Sequence, residues 1–318
     1  MKELGKESVT FLEVGEDGAG QRIDNFLMKR LKGVPKSHVY RILRSGEVRV
    51  NKGRVGADRR LAVGDRVRVP PVRVADKAMA PVPGREFATV FEDEALIVID
   101  KPAGVAVHGG SGVDFGVIEQ LRRARPQAKF LELAHRLDRE TSGLLIVGKK
   151  RAALTRLHDL FRDGGIDKRY LALVKGRWRD KLRNVKLPLL KYLTAEGERR
   201  VRVAADGKEA HSVVRLQGRW QTPLGEFSLV EVELRTGRTH QIRVHLAHLG
   251  HPILGDEKYG DFALNRDLQK RGLRRMFLHA ASMRLPHPQT GERLELLAPL
   301  PAELEGFLKG LEQADAAL

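Results

Sequence analysis

Residues 135–143 read His135-Arg136-Leu137-Asp138-Arg139-Glu140-Thr141-Ser142-Gly143 and run straight into the apolar stretch Leu144-Leu145-Ile146-Val147. So short and uninterrupted a run predicts a buried strand rather than a surface helix, although period alone does not settle it. Asp138 then lies on a loop that feeds the core, where a carboxylate shifts toward its neutral form unless a cation stands against it. The chain offers such a cation in a second polar cluster, Gly237-Arg238-Thr239-His240-Gln241-Ile242-Arg243. An ionised carboxylate held by an arginine in a cleft has the chemistry of a nucleophile. The same residues also read as a polar turn in which Asp138 caps or pairs locally, and this stretch by itself does not choose between the two.

Outward from that stretch, Ala95 to Asp100 is a second apolar strand, halted by Lys101-Pro102. Phe227 to Leu234 alternates apolar and polar residues as an antiparallel strand with one wet face does. Helices are predicted near Phe115–Arg125, Ala152–Arg162 and His240–His248, with Trp178 and Trp220 as core or strand residues. Strands outnumber helices and no βα repeat recurs, so the expected class is α+β with a mixed, mainly antiparallel sheet.

The front of the chain differs in charge. Of a formal net charge of +17, a net +10 falls on residues 21–70, which hold fourteen Lys or Arg against four Asp or Glu. A surface built for solubility mixes signs, whereas this imbalance points to a polyanion. Basic helices that bind membranes need a strong apolar face. Here Val39, Ile42 and Leu43 make one modest core face, with Lys36, Tyr40, Arg41 and Arg44 largely opposite. Nucleic acid is therefore the favoured partner. Asp24 to Lys32 and Ser37 to Arg44 read as helices, Asn51-Lys52-Gly53 as a turn, and Arg66 to Val69 as a strand.

These features divide the chain into a weakly ordered start (1–20), a docking module (21–70), a linker (71–85), a main domain (86–311) and a weakly ordered tail (312–318). At 318 residues two domains are the natural expectation. The absence of cysteine excludes disulfide and thiolate chemistry. No stretch approaches the ~18 apolar residues of a membrane helix, and no signal-type segment opens the chain, so the expected location is the cytoplasm.

Several other constellations are weak. His240, His245, His248 and His251 lack a supporting carboxylate at matching spacing, so solvent-facing, RNA-contacting or capping histidines are expected rather than a metal site. His108-Gly109-Gly110-Ser111-Gly112 suggests an oxyanion loop, but the chain has no Gly-x-Ser-x-Gly elbow. Neither a Walker loop nor a dinucleotide fingerprint is present. Aromatic residues make up only 5%, too few for stacking to dominate binding.

His135 to Gly143 resembles the active-site motif of the RluA-type pseudouridine synthases. Lys101 to Gly104, Lys168 to Ala172, Gly237 to Arg243, Gly255 to Gly260 and Leu278 to Ala280 resemble the family's other motifs in the family's order, over about residues 87–310. Gln21 to Leu27, Gly33 to Ser37 and Tyr40 to Arg44 resemble an S4 RNA-binding domain. With Val107 to Gly112 and Phe115 to Glu119, this front end is similar to members that act on separated uridines of large-subunit (23S) ribosomal RNA rather than transfer RNA.

The resemblance implies a bisected sheet with a central cleft and isomerisation of uridine to pseudouridine by a monomer, with no metal or organic cofactor. It implies Asp138 as nucleophile, Arg243 as its partner, Tyr170 against the flipped base and Leu278 packed beneath. Without it, Tyr170 reads simply as the start of a strand. Contacts to RNA are expected from His135, Arg136, Thr141, Arg238, His240 and Gln241 in the main domain. In the docking module they are expected from Arg22, Lys36, Ser37, Tyr40, Arg41 and Arg44. Two other classes are compatible with a basic chain of this kind. A non-catalytic assembly protein would leave uridines unchanged, and an RNA phosphodiesterase would cut strands.

Overall fold

The computed structural model describes residues 8–15, 18–31, 34–72, 82–110, 115–195 and 197–316. The chain forms two compact units, Met1–Ala80 and Pro81–Leu318. Most of the expected linker, residues 73–81, lies outside the described residues, as do Lys32, Gly33, Ser111 and Gly112.

In the first unit, β1 (Thr10–Glu13), α1 (Ile23–Arg30), α2 (Lys36–Arg44), β2 (Arg49–Val50), β3 (Gly53–Arg54) and β4 (Arg66–Val69) place two helices with a four-stranded sheet of order β1-β4-β2-β3. The core is made by Ile23, Phe26 and Leu27 of α1, by Val39, Ile42 and Leu43 of α2, and by Val50, Val67 and Val69 of the sheet. Lys36, Ser37, Tyr40, Arg41 and Arg44 are exposed, as the helical spacing predicts. One expectation fails here. Thr10–Glu13, placed in a weakly ordered start, pairs antiparallel with β4 from Thr10↔Val69 to Glu13↔Arg66.

The second unit contains β5 (Thr89–Glu92), β6 (Leu96–Lys101), α3 (Val117–Ala124), β7 (Glu132–Leu133), β8 (Ser142–Gly148), α4 (Arg151–Asp163), β9 (Asp167–Lys175) and β10 (Leu182–Lys186). There follow β11 (Leu189–Leu193), β12 (Arg199–Val203), β13 (His211–Thr222), β14 (Gly225–Leu234), α5 (Gln241–His248), α6 (Phe262–Lys270), β15 (Leu278–Pro286), β16 (Arg293–Leu297) and α7 (Ala302–Ala316). The main sheet runs β10-β13-β14-β9-β15-β8-β6-β5, with β16 on β15 and β7 on β8. Among the described strands only β15 and β8 pair in parallel; every other pairing is antiparallel. β11 and β12 form a separate hairpin.

The apolar runs of β6 and β8 are buried on both faces because two cores flank them. Ile97, Ile99, Leu145 and Val147 share one core with Val117, Ile118 and Leu121 of α3. Leu96, Val98, Leu144 and Ile146 share the other with Ala153, Leu157 and Leu160 of α4. The strict alternation between cores is the period of two of a strand. Trp178 is in the first core and Trp220 is on β13. The tail is a second departure: α7 continues through Ala316, with Leu304, Phe307 and Leu311 packed inward at helical spacing.

Candidate active site

Asp138 sits on the loop between β7 and β8. The Thr141 N–H donates to the Asp138 carbonyl at 3.1 Å and closes the turn. The end of β6 clamps this loop: the fully buried Lys101 Nζ and the Gly104 N–H both donate to the Arg139 carbonyl, at 3.1 and 2.9 Å. Lys101 also donates to the carbonyls of Pro102 and Val105, both at 2.8 Å. Burial pushes its pKa down to about 7, while three carbonyl acceptors match the three protons of the ammonium form. From the other side Arg275 donates to the Ser142 hydroxyl at 2.7 Å and to the carbonyls of Glu140 and Leu278. Gly143, at φ +105°, lies where β8 meets β15, and a Cβ there would fall 2.3 Å from the Ala280 carbonyl oxygen. Only glycine permits that approach, which brings Leu278 and His279 beside the loop.

Arg243, buried on α5, donates from Nη1 to Asp138 Oδ2 at 2.9 Å. Its remaining fork grips Asp256, Nε to Oδ2 at 2.7 Å and Nη2 to Oδ1 at 2.8 Å. Burial would lower the pKa of this guanidinium, but the carboxylates of Asp256 and Asp138 more than reverse the effect. Burial likewise works to raise Asp256, yet Arg243 and the backbone N–H groups of Lys258 and Tyr259 hold it below the ordinary carboxylate value. The result is a fixed cation between two anions, one of which faces a cavity of about 480 Å³. Asp256 is the residue that reading the sequence missed, although its motif is plain. A buried arginine needs carboxylate compensation beyond a single half-exposed partner.

Tyr170 on β9 and Leu278 at the start of β15 line the same cavity. Burial, reinforced by the Asp138 charge, pushes the Tyr170 phenol up, so it stays neutral. His240, in the left-handed region at φ +53° just before α5, places Nε2 3.8 Å from Asp138 Oδ2 and Nδ1 2.8 Å from the Tyr259 hydroxyl.

Comparison with known proteins accounts for this arrangement. The family described as RNA pseudouridylate synthase matches residues 95–248, and the S4 domain matches residues 21–67. "Ribosomal large subunit pseudouridine synthase C" of Pasteurella multocida (strain Pm70) is 51% identical over 96% of this chain and 95% of its own length. Its namesake in Escherichia coli (strain K12) is 49% identical over 96% and 98%. The chain belongs to the RNA pseudouridylate synthase family. Among solved structures, Human RNA Pseudouridylate Synthase Domain Containing 1 superposes with a TM-score of 0.58 at 27% identity, covering 74% of this chain and 98% of that one.

In this pseudouridine synthase, Asp138, Arg243, Tyr170, His240 and Leu278 converge on one cavity, with Arg136 exposed at its rim and Arg238 in its wall. Three expected RNA contacts, His135, Thr141 and Gln241, also line this cavity and hold scaffold hydrogen bonds as well. His135 accepts the Ile146 N–H on Nε2 at 3.0 Å and packs on Phe161; burial, with Lys168 nearby, takes its pKa down to about 3, so it is a neutral acceptor within the scaffold. Gln241 is buried and makes four inward hydrogen bonds, accepting from Thr236 and Arg238 and donating to His211 and Ser212. Thr141 is buried in the turn it closes. In the S4 unit Arg22 and Tyr40 both bond the buried Asp24, at 2.8 and 3.2 Å. His245, expected to face solvent, contact RNA or cap, is buried between the Ser212 hydroxyl and the Leu187 carbonyl.

Proposed function

We propose that this pseudouridine synthase isomerises uridines of large-subunit ribosomal RNA, with Asp138 as nucleophile. One observation carries the assignment of roles: Arg243 holds Asp138 by Oδ2, while Oδ1 has no hydrogen-bond partner among the described residues. A carboxylate anchored by one oxygen presents the other for attack. The names and near full-length coverage of the relatives support the large-subunit substrate.

The target base lies within folded RNA, so it is extruded into the cavity, whose volume is in the range of ligand sites. Asp138 adds to the nucleoside, at the base or at the anomeric carbon. The glycosidic C–N bond breaks, the base turns, and a C–C bond forms at the same sugar carbon; the bond to Asp138 is broken again, and the proton lost from the base carbon is balanced by one gained on the freed ring nitrogen. Tyr170 stacks on the base as a neutral phenol beside the carbon that loses its proton, and Leu278 supports the base from below. Arg136 and Arg238 at the cavity mouth meet backbone phosphates. Residues 21–70 dock RNA and residues 86–311 perform the chemistry.

Chemical mapping of pseudouridines in RNA from cells lacking the protein tests this reading. Particular large-subunit positions should revert to uridine and return with the wild-type gene but not with Asp138→Asn. Losses confined to transfer RNA would refute the substrate, and unchanged maps would refute the activity.

A further inference from the structure

His240 points at the nucleophile, and which of its nitrogens carries the proton follows from Tyr259. The Tyr259 hydroxyl oxygen accepts the backbone N–H of Val201 on β12 at 2.9 Å and lies 2.8 Å from His240 Nδ1. If Nδ1 were protonated, that oxygen would have to accept twice, and its own proton would have no acceptor among the described residues. With the phenolic O–H donated to Nδ1, the Tyr259 hydroxyl both donates and accepts, and the imidazole proton falls on Nε2, 3.8 Å from Asp138 Oδ2. Burial favours the neutral ring, Arg243 adds to this, and the Asp138 charge opposes it without prevailing.

We propose that His240, fixed by Tyr259 as the Nε2–H tautomer, is a positioning residue for Asp138 that donates to Oδ2 as substrate fills the cavity and so reserves Oδ1 for attack. At 3.8 Å the contact is too long for a hydrogen bond in the free protein, and contacts of this kind tighten when the substrate seats. Arg243 alone holds Oδ2 by a single N–H, about which the carboxylate still pivots; a second donor on that oxygen stops the rotation. The Tyr259 hydroxyl also ties the site to the β11–β12 hairpin, which is fastened to the same loop by the Glu198–Lys258 ion pair and by the Arg200 bond to the Lys258 carbonyl. The inference rests on Asp138 being the nucleophile, but the tautomer on which it turns can be measured independently.

Two substitutions separate positioning from a backbone role. His240 has φ +53°, a conformation that Asn tolerates far better than Gln. The Gln side chain, however, carries its amide nitrogen near the imidazole Nε2, whereas Asn reaches only the Nδ1 position. A backbone role therefore ranks Asn at or above Gln. The proposal ranks His240→Gln above His240→Asn by about 10–100-fold in single-turnover rate at saturating RNA. Asn equal to or faster than Gln overturns it. Because either variant can lose stability, the wild-type protein supplies the second measurement. ¹⁵N NMR of its labelled imidazoles, with His240 assigned from the signal lost in a variant, should show a bare Nδ1 and a protonated Nε2. A protonated Nδ1 overturns the proposal. Full activity of Asp138→Asn would remove the nucleophile reading and leave the tautomer result intact, so the two failures are distinguishable.

Discussion

On α2 of the S4 unit, Lys36, Arg41 and Arg44 stand in solvent on one helical face, while in the catalytic unit Lys101 and Arg243 are buried and Arg275 nearly so, each matched to carbonyls or carboxylates. The same residue types therefore serve two ends. Exposed cations act over a distance on any phosphate and are screened by salt. Buried cations act at hydrogen-bond range, fix geometry, and are costly to leave unpaired. The first unit should govern how tightly RNA is held, and the second whether anything then happens to it.

The largest effect expected from this contrast is at Asp138. Asp138→Asn keeps the shape but removes the anion, so conversion should fall by roughly four orders of magnitude or more while RNA affinity is unchanged. Measurable turnover by the Asn variant, with deamidation excluded by mass spectrometry, would break the division of labour. Arg243→Met comes next. It leaves Asp138 and Asp256 without their shared cation, so turnover should collapse and unfolding free energy should drop by about 3–5 kcal/mol, read from denaturant titration.

The acid limb of stability follows from the same pair. Asp256 has a folded pKa below its unfolded value, so its contribution is present above about pH 4 and is lost as pH falls through the folded pKa. Wild type should therefore lose stability more steeply than Asp256→Asn in that window, and parallel acid titrations would contradict the pairing. Smaller effects belong to the S4 unit. A chain starting at Glu86 should fold, retain conversion of a saturating minimal substrate, and bind large-subunit RNA more weakly with a shallower salt dependence. Smallest of all, Lys36→Ala or Arg41→Ala should flatten the slope of log affinity against log salt by about 0.7–0.9 each. An unchanged slope would assign that surface to another partner.

The pieces legible in the sequence were those whose signal is local. The two faces of α2 follow from spacing, and the buried strand β8 follows from an unbroken apolar run. What escaped depended on distant partners or diluted patterns. The strand Thr10–Glu13 is short, and its partner β4 lies some 55 residues away. α7 carries Gly306 and Gly310 inside an otherwise good helical pattern, and these glycines weaken the prediction. α6 was signalled by Asp261, whose carboxylate caps the N–H groups of Ala263 and Leu264, but its short amphipathic pattern hid it. At the site, Asp138 and Arg243 were evident as types of residue in polar clusters. The inward bonds of His135 and Gln241 were not, because a polar side chain beside a catalytic one looks the same in sequence whether it faces ligand or scaffold.

The position of β15 has a temporal consequence. This strand, residues 278–286, lies between β9 and β8, so it joins two half-sheets that are both complete in sequence long before it. While the chain is being synthesised, β9 and the start of β8 at Ser142 and Gly143 have open edges. Such edges invite mispairing and are the natural clients of chaperones. Leu278 is delivered by the same strand, so the floor of the cavity arrives last. The lining of the cavity is thereby incomplete until β15 has been synthesised.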